Sequence, residues 1–158
     1  MESGLENRVV LVTGASGGIG SSMVRAFLAE DSKVAVHYGN QRDSAEKLAT
    51  ESEGRAKAFQ ADLTQEAEVE RLFGDIESEL GPVECVIANA GIWPAENVPI
   101  HEMTLTQWNK TLAVDLTSVF LTMRRFFIGI RNFELKDPSA VLIGSTAAVF
   151  GEAGHVDY

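Results

Sequence analysis

The residues best suited to chemistry in the first part of the chain form a cluster of glycines. Residues 13–20 read TGASGGIG and directly follow the apolar run Val9–Val12. Glycines let the backbone approach a ligand closely, and a helix start offers free N–H groups and partial positive charge to a phosphate. We therefore predict a dinucleotide pyrophosphate site here, with a simple strand–helix turn as the alternative interpretation. The predicted contacts are Gly14, Ser16, Gly17, Gly18, Ile19 and Gly20.

The end of the second apolar run bears on the kind of dinucleotide. NAD-selective sites place an acidic residue there to bind the ribose 2′-hydroxyl. In this chain residues 37–42 read HYGNQR, and the first acidic residue after them is Asp43. The segment therefore favours NADP, with NAD the weaker alternative. The predicted contacts to the 2′-phosphate are Gly39, Asn40 and, as a charge partner, Arg42.

A serine and a tyrosine near the end of the chain are candidates for carbonyl chemistry. Ser145 follows the apolar run Val141–Ile143, and Tyr158, the last residue, lies 13 positions later. A hydroxyl can stabilise charge on a substrate oxygen, and a phenol can donate a proton to it. A tyrosine is a poor base at neutral pH unless a nearby cation lowers its pKa from about 10. Without further context, these are a serine after a strand and a terminal aromatic residue.

Short apolar runs alternate with helical patterns along the whole chain. Most of the runs are continuously apolar, as strands covered on both faces are. Strand–helix alternation of this kind predicts a parallel sheet with right-handed crossovers, a doubly wound α/β fold of the Rossmann type. The predicted strands are 9–12, 34–36, 56–59, 83–88 and 141–143.

Three helices are predicted between these strands. Ile19, Met23 and Phe27 repeat at a spacing of four and indicate the first helix. A second apolar stripe runs over residues 69–80, with Thr64 as the predicted N-cap. The third helix is predicted over 105–131, because residues 104–107 form a capping-box pattern ahead of a long apolar stripe.

Composition excludes several classes of function. With 13 basic and 23 acidic residues the net charge is −10, which disfavours binding to nucleic acid or anionic membranes. Cys85 is the single cysteine, so an internal disulfide and a multi-cysteine zinc site are excluded. No apolar run approaches the length of a membrane span, and residues 1–7 do not read as a signal peptide. We predict one cytoplasmic domain over residues 1–158, without a metal site.

Taken in order, these motifs resemble the short-chain dehydrogenase/reductase family over the whole chain. The glycine segment fits the family's TGxxxGxG form, and also the TGxxGxxG form of the longer epimerase branch. Asp62-Leu63 resembles the pair that contacts adenine, and Asn89-Ala90-Gly91 resembles the NAG motif that lines the cofactor site. The separation of Ser145 and Tyr158 matches that of the catalytic serine and tyrosine. The NAG motif favours the oxidoreductase branch.

The resemblance implies roles for these residues. Tyr158 would be the acid/base and Ser145 would hydrogen-bond the substrate oxygen, with hydride exchanged with NADP(H). Asp115 stands where the family usually has an asparagine that holds a water near the active-site lysine, and it is predicted to anchor that water. The remaining cofactor contacts implied are Tyr38 and Val114. Gly17 stands where many NADP-dependent members have a basic residue.

The resemblance also sets expectations for the whole protein. The family's lysine lies four residues after the tyrosine, and its C-terminal strands and helices follow, so both are expected to be missing here. We expect the 158-residue chain alone to lack full activity on its ketone or secondary alcohol. The family implies a homodimer or homotetramer and leaves sugar or polyol, ketoacyl and polyhydroxy-aromatic substrates open. The alternatives are a non-catalytic dinucleotide-binding module and a partial gene product.

Overall fold

Strands and helices alternate along the chain as the apolar pattern predicts. The computed structural model describes residues 3–52 and 54–158. The strands are β1 (Val9–Val12), β2 (Lys33–Tyr38), β3 (Ala56–Gln60), β4 (Cys85–Ala88) and β5 (Ser139–Leu142). The helices are α1 (Gly18–Ala29), α2 (Arg42–Thr50), α3 (Glu66–Glu79), α4 (Leu105–Leu112), α5 (Ser118–Phe133) and α6 (Ala147–Phe150), with a π-helical segment, Ala113–Thr117, between α4 and α5.

The five strands form one parallel sheet in the order β3-β2-β1-β4-β5. The chain winds outward from β1 to β3, then crosses back to β4, so the winding direction reverses between β1 and β4. Ligands of open α/β sheets bind outside the carboxyl ends of the strands at such a reversal. The doubly wound Rossmann-type fold is confirmed. Its topology predicts a ligand site at the carboxyl ends of β1 and β4.

Alternate residues of the central strands pack into two cores, one on each face of the sheet. Leu11 packs with α3 and α5, in a cluster that contains Phe73 and Phe126. Val10 and Val12, which flank Leu11 in β1, pack on the other side of the sheet with α1 and α2. This period of two is a consequence of strand geometry, and burial on both sides explains why the strands are apolar throughout.

Several element boundaries differ from those predicted. The fourth strand was predicted over 83–88, but β4 begins at Cys85. Val83 is buried without belonging to the strand, so its apolar character misled the prediction. β5 is shifted toward the N-terminus and ends at Leu142. Helix α2 was not predicted, since only Ala45 and Leu48 of its nine residues are buried and its apolar stripe is too short to read.

The two predicted helix caps have different outcomes. The Thr104 hydroxyl accepts a hydrogen bond from the Gln107 N–H at 3.1 Å, so this cap is confirmed. The Thr64 cap is wrong: α3 begins at Glu66, and no side chain of the described residues caps it. The Thr64 hydroxyl instead donates to the Asp62 carboxylate at 2.7 Å, which draws it into the loop after β3.

The predicted long helix is interrupted in its middle. Instead of one helix over 105–131, α4 and α5 are joined by the π-helical segment Ala113–Thr117. A π turn inserts an extra residue into the helical repeat, and such turns are frequent at functional sites.

Phe126 is buried in the core, whereas Phe120 and Phe127 on the same helix, α5, are exposed.

An ion-pair cluster fastens α5 to α3. The Arg125 guanidinium lies 2.8 and 3.0 Å from the two Glu77 carboxylate oxygens and 2.9 Å from a Glu70 oxygen. It also lies 5.2 Å from the centre of the Phe73 ring. The Arg125 side chain is only 11% exposed, so water screens this cluster weakly.

Of the helices described over residues 3–52 and 54–158, none has the length and apolar character needed to cross a membrane.

Candidate functional site

An open depression of about 570 Å³ lies at the carboxyl ends of the first four strands. Each of these strands is followed by residues that line it, as expected at the reversal of the winding direction. Ten predicted cofactor contacts come together there: Gly14, Ser16, Gly17, Gly39, Asn40, Asp62, Leu63, Ala90, Gly91 and Val114. The structure thus gathers residues from five separate segments of the sequence at one surface.

The glycine-rich turn has a conformation and a packing that only glycine allows at two positions. Gly14 has φ +61°, and a Cβ there would lie 2.9 Å from Ala90 Cα. A Cβ at Gly20 would lie 2.5 Å from the Gly14 carbonyl oxygen and 2.8 Å from Ala15 Cα. Gly18 has open space at the same position. Gly14 therefore shapes the turn, and Gly20 lets the start of α1 pack against it.

Several N–H groups of the turn are free for a ligand. The Gly17 N–H donates to the Gly14 carbonyl at 3.1 Å, and the Ala15 N–H donates to the His37 carbonyl at 2.9 Å. Within the part of the chain described, the N–H groups of Ser16, Gly18, Ile19 and Gly20 have no hydrogen-bond acceptor. Unpaired N–H groups at the first turn of a helix are the usual donors to a bound phosphate.

Asn89 supports the turn from behind. Its amide donates to the Thr13 carbonyl at 3.0 Å and to the Gly14 carbonyl at 3.3 Å. The Thr13 hydroxyl in turn accepts the N–H groups of Asn89 and Ala90, each at 2.9 Å. Thr13 was quoted in the motif but not predicted as a site residue; its position after a buried strand was the available signal. Asn89 itself does not line the depression.

The end of β2 presents small and polar residues to the depression. Gly39, Asn40 and Gln41 all line it. Tyr38 is buried in the core beside α1 and α2, and does not line the depression. Arg42 lies outside the lining residues, and its guanidinium contacts the Glu46 carboxylate at 2.6 Å on an exposed face.

The loop after β3 is ordered by its own side chains. The Asp62 carboxylate accepts hydrogen bonds from the Thr64 N–H at 3.0 Å and from its hydroxyl at 2.7 Å. The Asp62 N–H donates to Glu68 of α3 at 2.6 Å. Asp62 and Leu63 therefore face the depression in a loop that these hydrogen bonds hold in place.

Asp115 is held at the π-helical segment. Its Oδ1 accepts a hydrogen bond from the Ile92 N–H at 2.7 Å, and its Oδ2 has no partner among the described residues. Burial raises the pKa of the Asp115 carboxyl, the Ile92 hydrogen bond acts against this rise, and the Asp157 charge adds to it. An unpaired buried carboxylate oxygen is an acceptor still available to a water molecule.

The two predicted catalytic hydroxyls are not joined to each other. The Ser145 hydroxyl accepts from the Ala147 N–H at 3.1 Å, at the start of α6. The Tyr158 ring packs edge-on against Trp93, with ring centroids 4.6 Å apart. No hydrogen bond links these two hydroxyls in the described chain, and neither residue lines the depression.

The segment that carries Tyr158 is anchored by residues that the sequence did not point to. The Asp157 carboxylate accepts from the Thr111 hydroxyl at 2.8 Å and from the Gln107 amide at 3.2 Å. The His155 ring stacks on Trp93 at 4.1 Å, and its Nε2 lies 2.7 Å from Asn97 Oδ1. These contacts fix the last residues against α4 and the loop after β4.

Other missed residues line the depression itself. They come from the ends of β2 and β3, from the loop after β4 and from the helix that packs there. They are His37, Gln41, Gln60, Ala61, Thr64, Ile92, Lys110 and Ser118. Lys110, Val114 and Ser118 recur at a spacing of four on one side of the helix, a pattern that could have found them.

The sequence matches a known family along nearly its whole length. A profile described as short chain dehydrogenase covers residues 8–158. The chain is 34% identical over 154 residues to the uncharacterized oxidoreductase YuxG of Bacillus subtilis (strain 168), covering 94% of the chain and 22% of that protein. It is 35% identical over 147 residues to the NADP-dependent mannitol dehydrogenase of Alternaria alternata, covering 89% and 54%. It is 30% identical over 157 residues to the D-threitol dehydrogenase of Mycolicibacterium smegmatis, covering 98% and 58%. The chain thus spans between 22% and 58% of the length of these relatives.

Proposed function

Because the chain belongs to the short-chain dehydrogenase family, we propose that it binds a nicotinamide dinucleotide, with NADP(H) preferred, in the depression at the carboxyl ends of its strands. The observation that carries this proposal is the gathering of ten predicted contacts around the free N–H groups of one glycine-rich turn. The pyrophosphate would lie at Ser16 and Gly17, next to the start of α1.

The preference for NADP(H) follows from the charges at the end of β2. No acidic residue lies between the end of β2 and Asp43, so no carboxylate in this segment repels a 2′-phosphate from Gly39 and Asn40. The Arg42–Glu46 pair is exposed, and exposed pairs contribute little, so Arg42 can exchange its carboxylate partner for a phosphate at small cost. A relative 35% identical to the chain is named as NADP-dependent.

We propose that the reaction of the whole protein is the interconversion of a ketone and a secondary alcohol. Bound NADP(H) supplies or accepts the hydride. Ser145 hydrogen-bonds the substrate oxygen, and Tyr158 gives it a proton during reduction and takes the proton back during oxidation. Asp115 holds a water through its unpaired Oδ2. Two relatives are named for mannitol and threitol, so a polyol and its ketose are the proposed substrate class.

A non-catalytic dinucleotide-binding module is the second candidate. The observation in its favour is that no hydrogen bond joins Ser145 to Tyr158, whose ring packs on Trp93 instead. In this alternative the depression binds NADP(H) with the same residues, but no turnover follows. Mixing the whole protein, of which this chain is expected to be a part, with NADPH and a panel of ketoses separates the two candidates, because only an enzyme consumes the reduced cofactor.

A substitution that adds one negative charge at the end of β2 tests the preference for NADP(H). Gly39→Asp places an acid at the end of β2, and a Cβ at Gly39 meets nothing within 4 Å. We expect wild-type chain to bind NADPH more tightly than NADH in calorimetric titration, and Gly39→Asp to reverse that order. Gly74→Asp is the matched control, since it adds the same charge at an unobstructed site on α3 and should leave the order unchanged. Wild-type binding of NADH as tight as that of NADPH would refute the preference.

A further inference from the structure

His37 joins the glycine-rich turn to the end of β3 through its side chain. The imidazole is buried, and its residue is only 3% exposed. Its Nδ1 lies 3.1 Å from the Gly14 nitrogen, and its Nε2 lies 3.1 Å from the Ala61 carbonyl oxygen. His37 also lines the depression. One ring on β2 therefore connects the segments that follow its two neighbouring strands, β1 and β3.

These two contacts determine the proton positions on the ring. A carbonyl oxygen only accepts hydrogen bonds, so Nε2 carries a proton and donates it to Ala61. The Gly14 N–H only donates, so Nδ1 presents a lone pair. Only the neutral imidazole with its proton on Nε2 satisfies both partners. Burial agrees with this form, since it lowers the pKa of His37 to about 4, and the hydrogen bond to Ala61 offsets only part of the fall.

The same residue holds two successive N–H groups of the turn. The His37 side chain accepts the Gly14 N–H, and its carbonyl accepts the Ala15 N–H at 2.9 Å. Gly14 has a positive φ that its neighbours do not share, so the orientation of its peptide sets the direction of the residues that follow. The next N–H along the chain is that of Ser16, which lines the depression and has no acceptor among the described residues.

We propose that His37 is a positioning residue for dinucleotide binding, whose imidazole fixes the Gly14 peptide so that the turn presents its free N–H groups to the phosphates. This inference rests on the proposed function, because it assigns His37 a role toward the ligand of that same site. It predicts that affinity for the dinucleotide depends on the acceptor at Nδ1 more than on the bulk of the ring.

Variants that separate the two ring nitrogens test the proposal. In His37→Asn the amide oxygen takes the place of Nδ1 and can accept from Gly14. In His37→Gln the amide reaches toward Ala61 and leaves Gly14 without an acceptor, and His37→Leu removes both contacts. Ser52→Ala is the matched control: Ser52 is also buried, accepts from the Ala56 N–H at 2.8 Å, and lies at the opposite end of β3 from the depression.

The readout is the dissociation constant of NADPH beside the thermal midpoint of each variant. We expect His37→Gln and His37→Leu to weaken NADPH binding at least tenfold, His37→Asn to stay within about threefold of wild type, and Ser52→Ala to lose stability without losing affinity. Equal affinity in wild type, His37→Gln and His37→Leu would overturn the role of His37 and leave the proposed function standing. Absence of NADPH binding by wild type would overturn both.

A measurement on the free protein needs no variant and no ligand. The ¹⁵N chemical shifts of the His37 ring distinguish a protonated nitrogen from one that carries a lone pair. We expect the shift of an N–H at Nε2 and that of a lone pair at Nδ1 at neutral pH. A proton at Nδ1 would overturn the inference, because the ring would then face the Gly14 N–H with a second donor.

Discussion

Replacement of Gly20 by alanine is the sharpest test of how the turn is packed. The added Cβ would lie 2.5 Å from the Gly14 carbonyl oxygen, 2.8 Å from Ala15 Cα and 3.0 Å from the Asn89 amide nitrogen. Two of these three atoms are backbone, so the turn must move to make room. Overpacking of this kind costs about 1–3 kcal/mol of unfolding free energy.

This cost translates into a measurable shift of the unfolding midpoint. For a chain of 158 residues, 1 kcal/mol moves Tm by about 2–4 °C, so a mid-range cost of about 2 kcal/mol lowers Tm by about 4–8 °C. Because the same displacement alters the N–H groups that face the depression, we also expect NADPH affinity to fall at least tenfold.

Gly18→Ala is the matched control two residues away. A Cβ at Gly18 meets nothing within 4 Å, and the residue lies at the start of α1. Alanine loses less conformational freedom on folding than glycine does, so this variant should hold or raise Tm. Differential scanning calorimetry of both variants decides the matter. Equal Tm values for Gly18→Ala and Gly20→Ala would refute the packing argument.

Three further predictions follow from buried polar groups. Thr13→Val keeps the shape of the side chain but leaves the N–H groups of residues 89 and 90 without their acceptor. We expect urea unfolding to show a free energy of unfolding lower by about 2 kcal/mol for this variant, and a much smaller decrease for Thr13→Ser, which keeps the hydroxyl. A carboxyl whose folded-state pKa is raised binds its proton more tightly when folded, so its ionisation removes stability as the pH rises. Asp115→Asn should therefore gain stability relative to wild type as the pH rises above 3.8, the ordinary aspartate value, and a constant difference would contradict the raised pKa. Arg125→Met leaves partly buried carboxylates unpaired and should cost about 3 kcal/mol in urea unfolding, whereas Arg42→Met, in an exposed pair, should change little; equal effects would refute the role of burial.

The sheet and the turn could be predicted because their signals are local. Val9–Val12 is apolar at every position and is buried at every position, as strands covered on both sides must be. The TGASGGIG segment then leads from that strand into the start of α1, and a close backbone approach requires glycine at Gly14 and Gly20. The segment Asn89–Gly91 was found through the resemblance, and the structure gives the physical reason in the hydrogen bonds of Asn89.

The features that escaped prediction depend on contacts across the fold. Nothing in the sequence around His37 shows that its ring would meet Gly14 and Ala61, because those residues come together only when three strands pair. Helix α2 has too few apolar residues to produce a periodic signal. The π turn at Ala113–Thr117 sits inside a continuous helical pattern, so hydrophobic periodicity alone cannot reveal the inserted residue.

The most direct test of the central claim is a map of amide chemical shifts during titration with NADPH. If the depression binds the dinucleotide, the largest changes fall on the lining residues of the turn and the strand ends, among them Ser16, Gly17, Asn40 and Leu63. Changes confined to the exposed side of α5 around Phe120 and Phe127, or no changes at millimolar NADPH, would contradict the claim.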